Sequence, residues 1–103
     1  MLIDGEYDVF GDQSVTIIPT FGHTPGHQSA RIRLANGPVI LAADCCYLKR
    51  SIDEMRLSRG NWDAETSLET LRRLRSFREI GVRLFYGHDA EFWKAVPQAT
   101  SLL

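Results

Sequence analysis

Short apolar and β-branched runs in the first part of the chain predict a series of β-strands. Tyr7–Phe10 and Ser14–Ile18 flank a Gly-Asp pair, a pattern typical of a β-hairpin. Ser29–Leu34 alternates small or apolar residues with two arginines, which predicts a strand with one side facing solvent. The continuous apolar run Val39–Ala43 follows an Asn-Gly-Pro turn and predicts a strand buried on both faces.

The second part of the chain changes to a helical period. Asp63 is placed to cap a helix that runs to Ile80, and Gly81 is placed to end it. The apolar stripe of this helix consists of Ala64, Leu68, Leu71 and Leu74, with Phe77 at its edge. Val82–Tyr86 predicts a last strand, and a short helix follows around Glu91–Ala95.

The predicted elements follow the order β-β-β-β-α-β-α, an α/β arrangement with helices layered on a sheet, mostly β-strands with one long and one short helix. The polar, mixed segment Lys49–Gly60 predicts a loop or a short irregular helix. The chain has 103 residues, 44% of them hydrophobic and 24% charged, so residues 1–103 are expected to form one globular domain. A domain of this length is only marginally stable alone.

Charge and composition exclude several classes of partner. The formal net charge is −1, which argues against a nucleic-acid partner. A basic cluster in the long helix is interspersed with glutamates and predicts a solvated helix face: Arg72, Arg73, Arg75 and Arg78. No apolar stretch approaches the roughly 20 residues that span a bilayer, and no signal-peptide pattern is visible, so no membrane partner and a cytoplasmic location are expected.

Cys45 and Cys46 are neighbours in the sequence. A bridge between adjacent cysteines would close a strained ring, so a structural disulfide is not expected. We predict reduced, semi-buried thiols at both positions.

Polar residues that carry chemistry follow three of the predicted strands. The segment Gly22–His27 places two histidines in a tight Gly/Pro turn, Asp44 directly follows a buried strand, and His88 lies in a Gly-His-Asp segment after the last strand. A carboxylate at the end of a buried strand needs a cation, a metal or hydrogen bonds. Imidazole and carboxylate ligands suit zinc, and also iron, cobalt or manganese, so the three strand ends predict a metal site.

The same spacing resembles the C-terminal half of the metallo-β-lactamase superfamily. The resemblance runs over nearly the whole chain and rests on His-Thr-Pro-Gly-His, on an Asp about twenty residues later, and on a Gly-His-Asp after a helix and a strand. It implies half of an αβ/βα sandwich. It also implies that His23 binds one metal ion, that His88 binds a second ion and that Asp44 bridges the two. His27 matches a position that usually supports a ligand without being one.

A narrower resemblance is to the N-acyl homoserine lactonases, quorum-quenching enzymes that carry a tyrosine three residues after the bridging aspartate. Tyr47 occupies that position here. The resemblance implies a lactone or ester substrate, with two zinc ions that activate a water as hydroxide and polarise the substrate carbonyl. Tyr47 would then steady the oxyanion, and Asp44 would help the leaving alkoxide to take a proton. Without the resemblance, Tyr47 is equally explained as an aromatic at the surface with a solvated hydroxyl.

This sequence also departs from the family pattern. Phe21 stands where proline is common, and Cys45 and Cys46 stand where small residues are usual. The superfamily's first signature, His-x-His-x-Asp-His, is absent, since the three histidines lie at 23, 27 and 88. We therefore expect the C-terminal half of a larger hydrolase, inactive alone, that needs a missing N-terminal half or a homo-oligomer. The alternatives are a glyoxalase-II-like thioesterase of the same fold and a non-catalytic truncated remnant.

Overall fold

The centre of the molecule is a five-stranded sheet. The computed structural model describes residues 5–57 and 60–96. Within them the strands are β1 (Tyr7–Asp8), β2 (Val15–Pro19), β3 (Gln28–Leu34), β4 (Gly37–Ala43) and β5 (Arg83–Tyr86). The spatial order is β1-β2-β3-β4-β5, with antiparallel pairing from β1 to β4 and parallel pairing between β4 and β5. Parallel neighbours need a crossover connection, and helices supply it here.

Three helices complete the described part of the chain: α1 (Lys49–Glu54), α2 (Ala64–Glu79) and α3 (Ala90–Ala95). The segment after Leu48, for which a loop or a short irregular helix was predicted, forms the short helix α1. Residues 58 and 59 of that predicted loop lie outside the described residues. None of the described helices combines the length and the apolarity needed to cross a membrane.

The ends of α2 follow the sequence prediction. The Asp63 carboxylate accepts a hydrogen bond from the Glu65 amide at 3.2 Å, which caps the helix. Gly81 follows the helix with a φ of 97°, a left-handed conformation that glycine adopts without a steric penalty. Both boundary predictions are confirmed.

The buried face of α2 differs from the predicted apolar stripe. Leu71 and Leu74 are buried as expected, but Ala64 is exposed. Two polar residues, Ser67 and Thr70, are buried on the helix. The reason is that this part of α2 packs against the backbone of the histidine turn: the Thr70 hydroxyl donates to the Phe21 carbonyl, and Ser67 lies against Gly22, where a bulky apolar side chain has no room.

Helices α1 and α2 pack on one face of the sheet. The core there is formed by side chains of three strands and two helices: Ile18, Ile40, Ala42, Leu84, Tyr86, Ile52, Leu71 and Leu74. The register places Ile17, Ala30, Leu41 and Phe85 in a row on the other face. Leu41 is 38% exposed, so the prediction that β4 is buried on both faces was wrong at this position.

Both cysteines are free thiols, as expected. Cys46 is buried in the core, and Cys45 is partly buried against it.

Candidate active site

The structure brings His23, Asp44 and His88 together at one edge of the sheet. His88 Nε2 lies 2.9 Å from Asp44 Oδ1, and His23 Nε2 lies 3.9 Å from Asp44 Oδ2. The carboxylate thus presents one oxygen to each histidine. The side chain of His23 is 19% exposed, whereas those of Asp44 and His88 are 48% and 58% exposed, so the cluster is open to solvent on one side.

Tyr47 lies beside both histidines. Its ring centroid is 4.4 Å from that of His88 and 5.8 Å from that of His23. The four residues predicted from the sequence therefore form one cluster, although they lie far apart along the chain, from His23 to His88. Their chemical roles stay predictions.

The parallel pairing of β4 and β5 explains why Asp44 and His88 meet. Each residue follows the carboxyl end of its strand, and the ends of parallel neighbours lie at the same edge of a sheet. The register between these strands shifts between Leu41 and Ala43, and Ala43 has a φ of 55°. This left-handed conformation, unfavourable for a residue with a Cβ, turns the chain directly before Asp44.

Backbone hydrogen bonds join the two loops that carry the cluster. The Gly87 amide donates to the Cys46 carbonyl and the His88 amide donates to the Tyr47 carbonyl, each at 3.0 Å. Gly87 also packs closely on Ala43, because a Cβ at position 87 would lie 2.7 Å from the Ala43 carbonyl carbon. The positions of His88 and Tyr47 are therefore coupled through rigid backbone contacts.

Helix α2 and the chain before it hold the His23 turn. The Trp62 amide donates to the His23 carbonyl at 3.1 Å, and the Asp63 amide donates to the Gly22 carbonyl at 3.2 Å. The Thr70 hydroxyl donates to the Phe21 carbonyl at 2.7 Å. Thr70 was not predicted to support the site, because its sequence context shows only a threonine on the inner side of the helix.

His27 lies behind His23. Its ring stands edge to face with that of His23, with 6.1 Å between centroids, and its Nδ1 is 3.0 Å from the Thr20 hydroxyl. Burial lowers the pKa of His27, and the neighbouring His23 lowers it further. These contacts fit a supporting group, which is what the sequence predicts for this position.

The two thiols that follow Asp44 in the chain are poor metal ligands because they are protonated. Burial raises the pKa of Cys45, and burial raises the pKa of Cys46 to about 12. The thiolate is the form that binds metals, so both side chains stay neutral. The Cys45 thiol donates to the Ala42 carbonyl at 3.1 Å, and the Cys46 thiol donates to the Leu48 carbonyl at 3.3 Å.

The donor set fits two metal ions that share Asp44. Bonds of zinc to nitrogen and oxygen are roughly 2.0–2.2 Å, so two ligands of one ion lie at most about 4.4 Å apart. The separations of 2.9 Å and 3.9 Å between the imidazole nitrogens and the carboxylate oxygens are both within that span. Within residues 5–57 and 60–96, no three His, Cys, Asp or Glu side chains are grouped to hold one ion. Each ion would therefore have two protein ligands from this part of the chain.

Comparisons with known proteins identify what the chain is similar to. No family profile matches it. The N-acyl homoserine lactonase AttM of Azorhizobium caulinodans is 31% identical over 99 residues, which are 94% of this chain and 38% of that protein. An N-acyl homoserine lactonase of a Bacillus species is 37% identical over 93 residues, 87% of this chain and 36% of that protein. The chain thus spans a little over a third of the length of these relatives.

Solved structures agree with the sequence comparison. An N-acyl homoserine lactone hydrolase with the product N-hexanoyl-L-homoserine bound at its catalytic metal centre matches with a TM-score of 0.80 and 32% identity, over 92% of this chain and 38% of that one. A probable metal-dependent hydrolase from Staphylococcus aureus matches with a TM-score of 0.74 at 13% identity, over 86% of this chain and 32% of that one, which shows the fold alone. The expected metallo-β-lactamase fold and the resemblance to N-acyl homoserine lactonases are confirmed. The assignment of residues 1–103 to a C-terminal half stays a prediction.

Proposed function

We propose that this chain, which is similar over most of its length to N-acyl homoserine lactonases, is part of a metal-dependent hydrolase that opens the ring of N-acyl homoserine lactones. The observation that carries the proposal is the position of Asp44, whose two carboxylate oxygens face His23 and His88, with Tyr47 against both rings. The relatives are N-acyl homoserine lactonases, and a solved relative holds the ring-opened product N-hexanoyl-L-homoserine at its catalytic metal centre.

His23 and Asp44 would hold one zinc ion, and His88 and Asp44 would hold the second. Catalytic zinc usually has three protein ligands, so each ion needs further ligands from outside this chain. The His-x-His-x-Asp-His motif of a longer protein would supply them. The metals would lower the pKa of a bound water to give a hydroxide nucleophile near neutral pH, and would polarise the substrate carbonyl.

Tyr47 would bind the lactone carbonyl. Its phenol is a hydrogen-bond donor next to the two metal-binding histidines, where negative charge develops on the carbonyl oxygen during attack. The Asp44 carboxylate, half exposed on the same side, would accept a proton and pass it to the leaving alkoxide. The hydrogen bonds that the amides of Gly87 and His88 donate to the Cys46 and Tyr47 carbonyls would hold these groups in place.

The test uses the chain joined to the N-terminal part of a related lactonase, which would supply the missing histidine motif. Tyr47→Phe should lower the rate of lactone hydrolysis about tenfold, or about 1.4 kcal/mol, and leave the metal content unchanged. The expected loss is below the about 2.7–4 kcal/mol of a full oxyanion-hole donor, because the metals already polarise the carbonyl. The measurements are kcat/KM on a panel of acyl-homoserine lactones and metal analysis.

Two further variants separate catalysis from structure. Asp44→Ala should lose metal and activity together, because its carboxylate faces both histidines. Tyr7→Phe removes an equivalent hydroxyl from the exposed strand β1 and should leave the rate unchanged. Full activity of Tyr47→Phe on every lactone, or faster turnover of thioesters than of lactones, would contradict the lactonase assignment.

A further inference from the structure

A buried chain of hydrogen bonds runs beneath the candidate metal cluster and ends at strand β4. His27 Nδ1 lies 3.0 Å from the Thr20 hydroxyl, which lies 2.7 Å from the Ser29 hydroxyl. The Ser29 hydroxyl donates to the Ala42 carbonyl at 3.2 Å. Thr20 is 1% exposed and Ser29 is 3% exposed. The chain therefore joins the histidine turn to the strand that leads to Asp44, away from solvent.

The number of protons in this chain decides the direction of each bond. A hydroxyl has one proton to donate. Because Ser29 gives its proton to the Ala42 carbonyl, Ser29 has to accept from Thr20. Thr20 has then used its own proton, so it has to accept from His27 Nδ1.

The reverse direction makes fewer bonds. If Thr20 donated to His27, Ser29 would have to donate to Thr20, and the bond from Ser29 to Ala42 would be lost. The Ala42 carbonyl has two lone pairs and lies where the register of β4 and β5 shifts. It can therefore accept from Ser29 and from the Cys45 thiol together.

We propose that His27 is a positioning residue, held as the Nδ1–H tautomer by Thr20 and Ser29, whose Nε2 lone pair accepts a hydrogen bond from Nδ1 of His23. The directions of the hydrogen bonds through Ser29 and Thr20 determine the tautomer of His27. The bond between the histidines is inferred from His23, whose Nδ1 is buried without a hydrogen-bond partner among the described residues and whose ring centroid lies 6.1 Å from that of His27.

The role given to His23 rests on the proposed function. A histidine that binds a metal through one ring nitrogen almost always donates from the other nitrogen to an acceptor, which fixes its tautomer and orientation. His23 faces Asp44 with Nε2, so Nδ1 is the nitrogen that needs the acceptor. A buried polar atom without a partner is unfavourable, and the two rings, which are perpendicular with centroids 6.1 Å apart, would have to turn and approach each other to form the bond.

The first test needs no metal and no activity. Long-range ¹H–¹⁵N correlation spectra of the ¹⁵N-labelled, metal-free protein at neutral pH distinguish the tautomers of each histidine. We expect His27 to carry its proton on Nδ1. A His27 that carries its proton on Nε2 would overturn the inference, and would leave the proposed lactonase activity untouched.

Matched variants test the source of the tautomer. Thr20→Val removes the hydroxyl and keeps the shape, and should shift the His27 tautomer ratio towards the Nε2–H form by about fivefold, the effect of one net hydrogen bond. Thr20→Ser keeps the hydroxyl and should preserve the wild-type ratio. An unchanged ratio in Thr20→Val would overturn the role of the hydrogen-bond chain.

A second pair of variants replaces the ring itself. His27→Asn places an amide near the position of Nδ1, so it can still donate to Thr20, whereas His27→Gln places its amide near the position of Nε2. His27→Asn should keep the hydroxyl chain, and His27→Gln should keep an acceptor for His23. We therefore expect the ¹⁵N shift of His23 Nδ1 to be closer to wild type in His27→Gln than in His27→Asn. The opposite order would overturn the proposed bond between the histidines.

Discussion

At the scale of single residues, glycines determine how closely the two histidine loops approach their supports. Gly22 precedes His23 and Gly87 precedes His88. A Cβ at Gly22 would lie 2.6 Å from the Ser67 backbone nitrogen, and Gly22 has a φ of 132°. Close approach of two backbones is a general use of glycine. The Gly-His pairs therefore have a structural reason that is distinct from metal binding.

We predict that Gly22→Ala destabilises the protein by about 2 kcal/mol or more, since overpacking and a positive φ each cost about 1–2 kcal/mol. Urea denaturation monitored by circular dichroism would measure the loss. Gly26→Ala is the matched control, because the same turn has open space around Gly26, and it should change stability by less than about 0.5 kcal/mol. Equal stability of the two variants would show that the turn is not packed against α2 as the structure has it.

At the scale of elements, an ion pair joins the short helix α1 to the long helix α2. Arg78 donates to Asp53 at 2.7 Å, and Lys49 donates to the other oxygen of Asp53 at 3.0 Å. The hydrogen bonds from Lys49 and then Arg78 lower the pKa of Asp53 below its ordinary value of 3.8. Because α1 follows the Tyr47 loop directly, this contact helps to anchor the site.

We predict that Asp53→Asn reduces stability by less than about 1 kcal/mol at neutral pH, since the pair is partly exposed and screened by solvent. The folded-state pKa is lower than the unfolded value, so the stabilisation is present above pH 3.8 and disappears as the pH falls through the lowered pKa. Urea denaturation of both proteins at neutral pH and at strongly acidic pH should show their difference shrinking on acidification. Glu79→Gln, which breaks the exposed pair with Arg75, is the control and should show little effect at either pH.

At the scale of the whole molecule, the chain presents a candidate metal site with few ligands and a sheet with a partly exposed apolar row. The cluster has one carboxylate between two histidines, and the sheet exposes Leu41 on the face opposite to α1 and α2. The relatives are more than twice as long as the part that this chain matches. Both features agree with the proposal that further ligands come from outside these residues.

We predict that the purified 103-residue protein binds zinc weakly and shows no appreciable lactonase activity. Two protein ligands per ion fall short of the usual three, and the folding free energy gained on metal binding falls with them. Isothermal titration with zinc and a lactone assay with zinc present are the measurements. Tight stoichiometric zinc binding together with lactone turnover would contradict this prediction. The variant His88→Ala would then show whether the His23–Asp44–His88 cluster binds the zinc.

Most of the fold could be predicted from local patterns in the sequence. The hairpin, the β4 run, the Asp63 cap and the Gly81 stop are each determined by interactions within a few residues, so hydrophobic period and turn chemistry predict them. For the segment of helix α1 the sequence predicted only a loop or a short irregular helix, because the segment has no strong apolar period. The identity of the site residues came from the spacing of His23, Asp44, Tyr47 and His88 compared with a known family.

The tertiary structure alone decided how these residues meet. Parallel pairing of β4 and β5 brings Asp44 to His88, and nothing local in either strand specifies its neighbour. The buried hydroxyls of Thr20 and Thr70 look like ordinary strand and helix residues in the sequence, and they become supports of the site only because distant backbone lies against them. Local patterns specify elements because the forces act over short segments of chain, whereas contacts across the fold depend on how all the elements pack together.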